Sequence, residues 1–517
     1  MKKVTCIIFV ILFLLLLLAN NMINAKRILV IMSAPFKSHQ IVYRSLCLAL
    51  HKRGHELVVF TTHPMKNSTL KNYTEISMPY YSVVEQYKRK ASQMPMLELI
   101  RHVSKLTTES IKMLFNDPKF KEFYNCNQKF DAIIIEQAGY IALNAIAHKF
   151  DAPLIGILSL GLHNYHRYIF NSPILSSHLS NWEFNTLSGD QLSIWQRLWN
   201  FIGTWRIIHF LINEYTMENQ EVVQEYLGKD VPNVINIMKN MSVMLVNENP
   251  IYAYSRPEQS NIIFFSGIHI QKTPPPLPND LRQFLDDATE GYIYVSFGTT
   301  ITCDALPKEM LRNFVKVFSK LPYKIVWKFE CELPGKLDNA FISKWVLQQG
   351  VLAHPNIKLF IYQGGLQSTE EALHYAVPLL GIPIVPEQEC RILRLVSLGA
   401  AVRIKLHEIT EEYLNSAIRR ILNNKSYKER IMYLSALFKD RPYDSLENVI
   451  WWIEYVMRHK GINHLRFNDS DKPWYQRYDM DVIALLSITL FMMECVIALI
   501  VIQIIRFILY CLKLSSR

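Results

Sequence analysis

At 517 residues the chain is longer than one hydrophobic core sustains, so two domains are expected. The formal net charge of +11 does not point to nucleic acid, because Lys and Arg are spread along the chain with no basic cluster interleaved with stacking aromatics. A solvated surface is the better account of that charge.

Taken in chain order, Lys2 and Lys3 precede "CIIFVILFLLLLLA" and a polar gap that ends at Ala25. This charged, apolar and small-residue order is that of a secretory signal peptide, expected over 1–25 with the mature chain starting at Lys26. From there apolar runs alternate with helical patterns: "RILVIMSA", "ELVVFTT", "DAIIIEQ", "APLIGILS", "SVMLVNENP" and "IIFFSG". The segment "QKTPPPLPND" (271–280) reads as a stiff extended linker. A second series follows, "GYIYVSFGTT", "YKIVWKF", "NIKLFIYQGG", "VPLLGIP" and "AAVRI". Strands apolar on both faces and separated by helices predict parallel sheets covered on both sides. The expected fold class is α/β, with two doubly wound Rossmann-like domains over 26–270 and 281–445, then C-terminal helices and a juxtamembrane segment over 446–481.

Residues 482–505, "VIALLSITLFMMECVIALIVIQII", suffice to cross a hydrocarbon core, which needs about 20 apolar residues. Arg506, Lys513 and Arg517 follow, and the positive-inside rule puts the tail 506–517 in the cytosol and the body in the lumen of the endoplasmic reticulum, a single-pass type I topology. Glu494 in mid-span either faces a partner helix or stays protonated. Sequons at Asn67, Asn72, Asn240, Asn424 and Asn468 agree with a lumenal body. Of the eight cysteines, Cys6 lies in the leader, and Cys495 and Cys511 lie in or beyond the span. Cys47, Cys126, Cys303, Cys331 and Cys390 match no zinc or CxxC spacing, and their odd number permits at most two bridges. Residues 165–239, rich in Leu and aromatics, are expected to wall an acceptor pocket, to rest on a membrane or to be a plain amphipathic helix pair.

Ligands of open α/β sheets bind outside the carboxyl ends of the strands, so the informative residues follow strands. His39 does so at the start of the helical pattern "HQIVYRSLCLALHKRGH", which ends at Gly54. Glu136 closes "DAIII" and is placed to accept a hydrogen bond from one ring nitrogen of His39, an orienter and a base. In the second series "SFGTT" and "QGGLQST" are small glycine-bearing loops after strands. Gly364 and Gly365 permit close backbone approach, and amides at the helix start that follows favour a phosphate as much as they favour an ordinary cap. Neither a dinucleotide fingerprint nor a Walker loop is present.

The stretch "WVLQQGVLAHPNIKLFIYQGGLQSTEEALHYAVPLLGIPIVPEQ" (345–388) resembles the signature of the UDP-glycosyltransferases, in the membrane-bound form that insects use for detoxification. "SHQIVYRSLCLALHKRGHELVVFTTHP", "YVSFGTT" and "LPGKLDNAFISKW" are similar to the same enzymes. The resemblance implies the GT-B fold, with the donor held by the second domain and the acceptor by the first. It implies that Trp345 stacks on uracil with Gln348 beside it, and that Glu371 takes the ribose hydroxyls. Ser296, Thr299, Gly365 and Ser368 would line the diphosphate with Gln363 at its edge, while Glu387 and Gln388 would meet the sugar hydroxyls. His39 would be the general base and Glu136 its orienting carboxylate, in an inverting displacement that needs no metal and no cofactor beyond the UDP-sugar co-substrate, UDP-glucose being usual among the insect relatives. The acceptor would be a small lipophilic hydroxyl compound, and homo- or hetero-oligomers are among the expected partners.

Four positions depart from the family pattern: Gln363 replaces a His, Leu347 a Pro, Ala376 a Gly and Glu387 an Asp. A Gln amide donates a hydrogen bond to a phosphate but never the charge that a protonated His adds. The alternative expectation is therefore a catalytically degenerate member that binds lipophilic ligands or partner transferases.

Overall fold

The computed structural model describes residues 25–65, 70–78, 94–178, 183, 192–299, 306–466 and 472–515. Most of the leader, Cys6, Cys303 and the sequons at Asn67 and Asn468 lie outside those residues. The chain forms two compact units, a body up to Arg466 and a C-terminal segment from Phe467.

The body is built on two all-parallel sheets. The first joins β1 (Arg27–Met32), β2 (Glu56–Thr61), β3 (Tyr73–Ser77), β4 (Ala132–Glu136), β5 (Leu154–Leu158), β6 (Val243–Asn247) and β7 (Ile262–Phe265) in the order β3-β2-β1-β4-β5-β6-β7. The second joins β8 (Tyr292–Ser296), β9 (Lys324–Lys328), β10 (Ala340–Ser343), β11 (Ile357–Tyr362), β12 (Leu379–Gly381) and β13 (Ala401–Arg403) in the order β10-β9-β8-β11-β12-β13. Each apolar run read from the sequence is a strand; the edge strands β3 and β10 escaped because "YTEIS" and "AFIS" are short and only half-buried. In both sheets the order reverses beside the first strand, between β1 and β4 and between β8 and β11. At such a switch point the connections leave to opposite faces and open a crevice at the strand ends.

The central strands are buried on both faces, which explains their unbroken apolar character. One face of the first sheet carries Leu29, Ile31, Ile133 and Ile135 under helices of the first half. The other packs Val30, Val59 and Ile134 against Val449, Ile450, Ile453 and Val456 of the helix Ser445–His459, so the chain returns from the second sheet to cover the first. Nothing in the local sequence announces that return. The second sheet has its own two layers, around Tyr294 and Phe360 and around Trp327 and Ile361. Within 271–280 the helix Asn279–Asp286 already begins at Asn279.

Ala376 stands where the sequence resemblance implies a glycine. It follows the helix Leu366–His374 in the left-handed region, with φ +54°, where a Cβ crowds the backbone. Ala376→Gly is expected to stabilise the body by about 1 kcal/mol, seen as a raised thermal unfolding midpoint. An unchanged or lowered midpoint would contradict the assigned strain.

Cys331 is disulfide-bonded, and among the described residues Cys47, Cys126 and Cys390 are free thiols. In the C-terminal unit the helix Met480–Ser515 includes a segment, Met480–Leu512, long and apolar enough by length and composition to cross a membrane. The helix itself continues past 505.

Candidate active site

β1 ends at Met32 and the helix Lys37–Lys52 starts after a short loop, with Gly54 at φ +93° closing it as its spacing predicts. His39 therefore sits in the first helical turn, 7% exposed, at the switch point of the first sheet. Its Nδ1 lies 2.7 Å from Oε1 of Glu136, which is fully buried at the end of β4. The Tyr43 hydroxyl donates to the same oxygen at 2.9 Å, and the Ala34 N–H donates to Oε2 at 2.6 Å. A carboxylate so deeply buried requires such donors. Because it only accepts, Nδ1 carries the proton and Nε2 is left as an acceptor. Burial, reinforced by the charge of Glu136, holds the Tyr43 phenol well above its ordinary range, so Tyr43 keeps its proton and remains a donor. Sequence reasoning missed Tyr43, although its place four residues after His39 on one helical face was a usable signal.

Of the twelve residues expected at the site, all but Glu136 line one cavity of about 670 Å³ in the body. Ser296 and Thr299 flank the loop after β8, and Gln363 stands just after β11, so both lie at the second switch point. Gln363 is 5% exposed and its amide abuts Gly298, whose φ of +72° and missing side chain leave the room. Among the described residues the Gln363 Oε1 has no hydrogen-bond partner. Lys328, also unforeseen, reaches the same loop and donates to the Gly298 carbonyl at 2.9 Å. Gly365 is the N-cap of the helix Leu366–His374, which carries Ser368 and Glu371.

Gln348 is expected beside Trp345, but its amide nitrogen donates to Glu371 Oε2 at 2.5 Å and to Ser368 at 2.9 Å. Glu371 is further held by the Gln349 amide at 3.1 Å and by His269 at 3.3 Å. Burial would lower His269, yet the hydrogen bond and charge of Glu371 and the charge of Glu370 together hold it above its ordinary range. Trp345 stays 46% exposed at the cavity wall. Lys37 crosses from the first half and rests its ammonium 3.5 Å from the centre of that ring; burial and the nearby Lys328 hold this ammonium below its ordinary range. At the far end Gln388 uses Oε1 to accept from the backbone N–H groups of Ile384 and Val385 at 3.0 and 3.2 Å, and Glu387 pairs with Arg391.

The first half lines the rest of the cavity with an apolar wall, including Leu99, Val103, Tyr140, Tyr165, Leu211 and Tyr215. Leu211 and Tyr215 sit on a π-helical segment, Phe210–Tyr215, inserted in one long helix between Ile194–His209 and Thr216–Tyr226. Such insertions re-aim side chains and recur at functional sites. Part of the 165–239 segment thus walls the cavity, whereas Trp195 and Trp199 at the start of that helix are exposed. His163 lines the cavity as well; burial holds it below its ordinary range and neutral, 4.0 Å from Glu183.

The family model described as UDP-glucoronosyl and UDP-glucosyl transferase matches residues 21–516. The chain belongs to this family. UDP-glycosyltransferase UGT5 of Dactylopius coccus is 32% identical over 93% of this chain and 91% of its own length. UDP-glucuronosyltransferase 1A10 of Homo sapiens is 29% identical over 91% and 90%. Among solved structures, the glycotransferase of kitacinnamycin superposes with a TM-score of 0.57 at 14% identity, covering 85% of this chain and 100% of that one. The two parallel sheets are the two Rossmann-like domains of a GT-B glycosyltransferase, as the sequence resemblance implied. The chain is a UDP-glycosyltransferase by family, and transfer of a sugar to an acceptor is the activity that this family carries.

Proposed function

We propose that the chain transfers a hexose, glucose foremost, from a UDP-sugar to a hydroxyl of a small lipophilic acceptor with inversion, and that His39 is the general base. The observation that carries this reading is the His39 and Glu136 pair, 2.7 Å apart, at the wall of the cavity that also holds Trp345, Ser296, Thr299, Gly365, Ser368 and Glu371. A base must reach the proton it removes, and His39 offers Nε2 where an acceptor hydroxyl enters from the apolar side. The oriented imidazole takes that proton, the hydroxyl oxygen attacks the anomeric carbon from the face opposite the nucleotide, and UDP departs with the bonding pair. Backbone amides at 364–366 and the Lys328 side of the loop supply donors and charge for the leaving diphosphate. No step needs a metal. Incubating membranes that contain the chain with labelled UDP-glucose and a panel of phenols and hydroxylated hydrophobes tests the reading; transfer of label to no acceptor would speak against it.

Gln363, whose amide can donate a hydrogen bond to a phosphate but not the charge of a protonated His, favours a second reading, a member that binds ligands without transfer. Gln363→His separates the two. In a working transferase it is expected to tighten UDP binding and raise turnover by up to about tenfold, or about 1.4 kcal/mol, measured by calorimetry and initial rates. Absence of UDP binding in both proteins would leave the binding-only member as the better account.

The body is further proposed to be lumenal in the endoplasmic reticulum, entering by a cleaved leader and anchored by the helix Met480–Ser515. The sequon asparagines Asn72, Asn240 and Asn424 are exposed, as glycosylation requires. Protease added to sealed microsomes is expected to clip only the short tail; digestion of the body would overturn the orientation.

A further inference from the structure

Glu387 lies at a partition. It lines the large cavity and also a small one of about 80 Å³, whereas Arg391 lines the small one and not the large. Both belong to the helix Pro386–Ser397, one turn apart. Arg391 is 7% exposed; one arm of its guanidinium pairs with Glu387 Oε1, and the other donates to the Gly364 carbonyl at 2.5 Å. The fork thus joins the carboxylate expected to meet the sugar to the backbone of the loop expected to meet the diphosphate. A second contact fastens the same parts: a Cβ at Gly364 would stand 2.7 Å from Ile392 and 3.0 Å from the Gln388 carbonyl, so only glycine lets the loop lie this close to the helix. With Oε1 of Gln388 already committed to backbone amides, the pair offers the sugar one oriented carboxylate oxygen and one amide NH₂. Arg391 is cut off from the large cavity, so whatever it does for the donor passes through Glu387 and Gly364.

We infer that Arg391 is a positioning residue for donor-sugar selection, pinning the Glu387 carboxylate and the Gly364 carbonyl in one register so that sugar identity is read at a fixed distance from the diphosphate. The inference rests on the reading that Glu387 and Gln388 meet the sugar. It also accounts for the glutamate at 387, whose extra methylene lets one oxygen reach Arg391 while the side chain still borders the large cavity.

The test compares the full chain with its Arg391→Met and Arg391→Lys variants in detergent, titrated calorimetrically with UDP, UDP-glucose and UDP-galactose, two sugar nucleotides that differ in the orientation of one hydroxyl. Loss of the pin is expected to reduce the preference between the two sugars by about tenfold in Arg391→Met and to leave UDP affinity within about twofold. Lysine keeps the charge without the fork and is expected to restore part of the preference. An unchanged preference in Arg391→Met overturns the inference. So does a parallel loss of UDP and both sugar nucleotides that lysine does not relieve, because that marks a structural role alone. So too does a wild type that binds UDP but does not distinguish the sugars. A wild type that binds no UDP would instead defeat the donor-site reading itself.

Discussion

Turnover of His39→Ala is expected to fall by about a hundredfold or more, the scale of a lost general base, with UDP affinity unchanged. The imidazole lies in the first domain, whereas the residues assigned to the nucleotide lie in the second, so nucleotide binding has no direct reason to change. The fold should tolerate the change, because Tyr43 and the Ala34 N–H still serve the Glu136 carboxylate. Single-turnover rates with the best acceptor, read beside UDP calorimetry, check the prediction. His163→Ala is the control: that imidazole lines the same cavity, and burial holds it below its ordinary range, so it is a poorer base than an imidazole oriented by a carboxylate at 2.7 Å, and its loss is expected to cost less than about tenfold. Should His39→Ala retain near-normal turnover while His163→Ala abolishes it, the roles are reversed.

Glu136→Gln is expected to lower kcat by about a hundredfold and to destabilise the body by about 1 to 3 kcal/mol. The carboxylate takes hydrogen bonds from three donors, the His39 ring, the Tyr43 hydroxyl and the Ala34 N–H. A carboxamide has one accepting oxygen and turns its own NH₂ group toward at least one of those donors, leaving buried polar groups unpaired. It also withdraws the negative charge that stabilises an imidazolium formed during proton transfer. Glu136→Asp, which keeps the charge on a shorter arm, should recover part of kcat. The comparison of kcat with unfolding free energy tells a catalytic orienter from a structural anchor: loss of stability with kcat preserved in the surviving folded protein would make Glu136 structural only.

Much of this molecule could be read from its sequence. Short, β-branched and aromatic apolar runs such as "AIIIE" and "YIYVS", bounded by turn residues, read as strands buried on both faces, and their alternation with helices predicted parallel sheets. The rule that ligands gather beyond strand ends picked out His39, Glu136 and the loops around Ser296 and Gln363 without any distance. Local patterns are sufficient there because hydrophobic periodicity and loop composition reside in neighbouring residues. Strand order, by contrast, is a matter of which segments pair across the chain, and it alone put β1 beside β4 and β8 beside β11, bringing His39 to 2.7 Å from a carboxylate 97 positions away. Tyr43, Lys37 over Trp345, the helix Ser445–His459 folded back on the first sheet and the Arg391 pin are likewise products of packing. Each depends on a buried polar group or an apolar face finding its partner at long sequence separation, and the free energy of that partnership exists only once the tertiary structure has removed water from both sides.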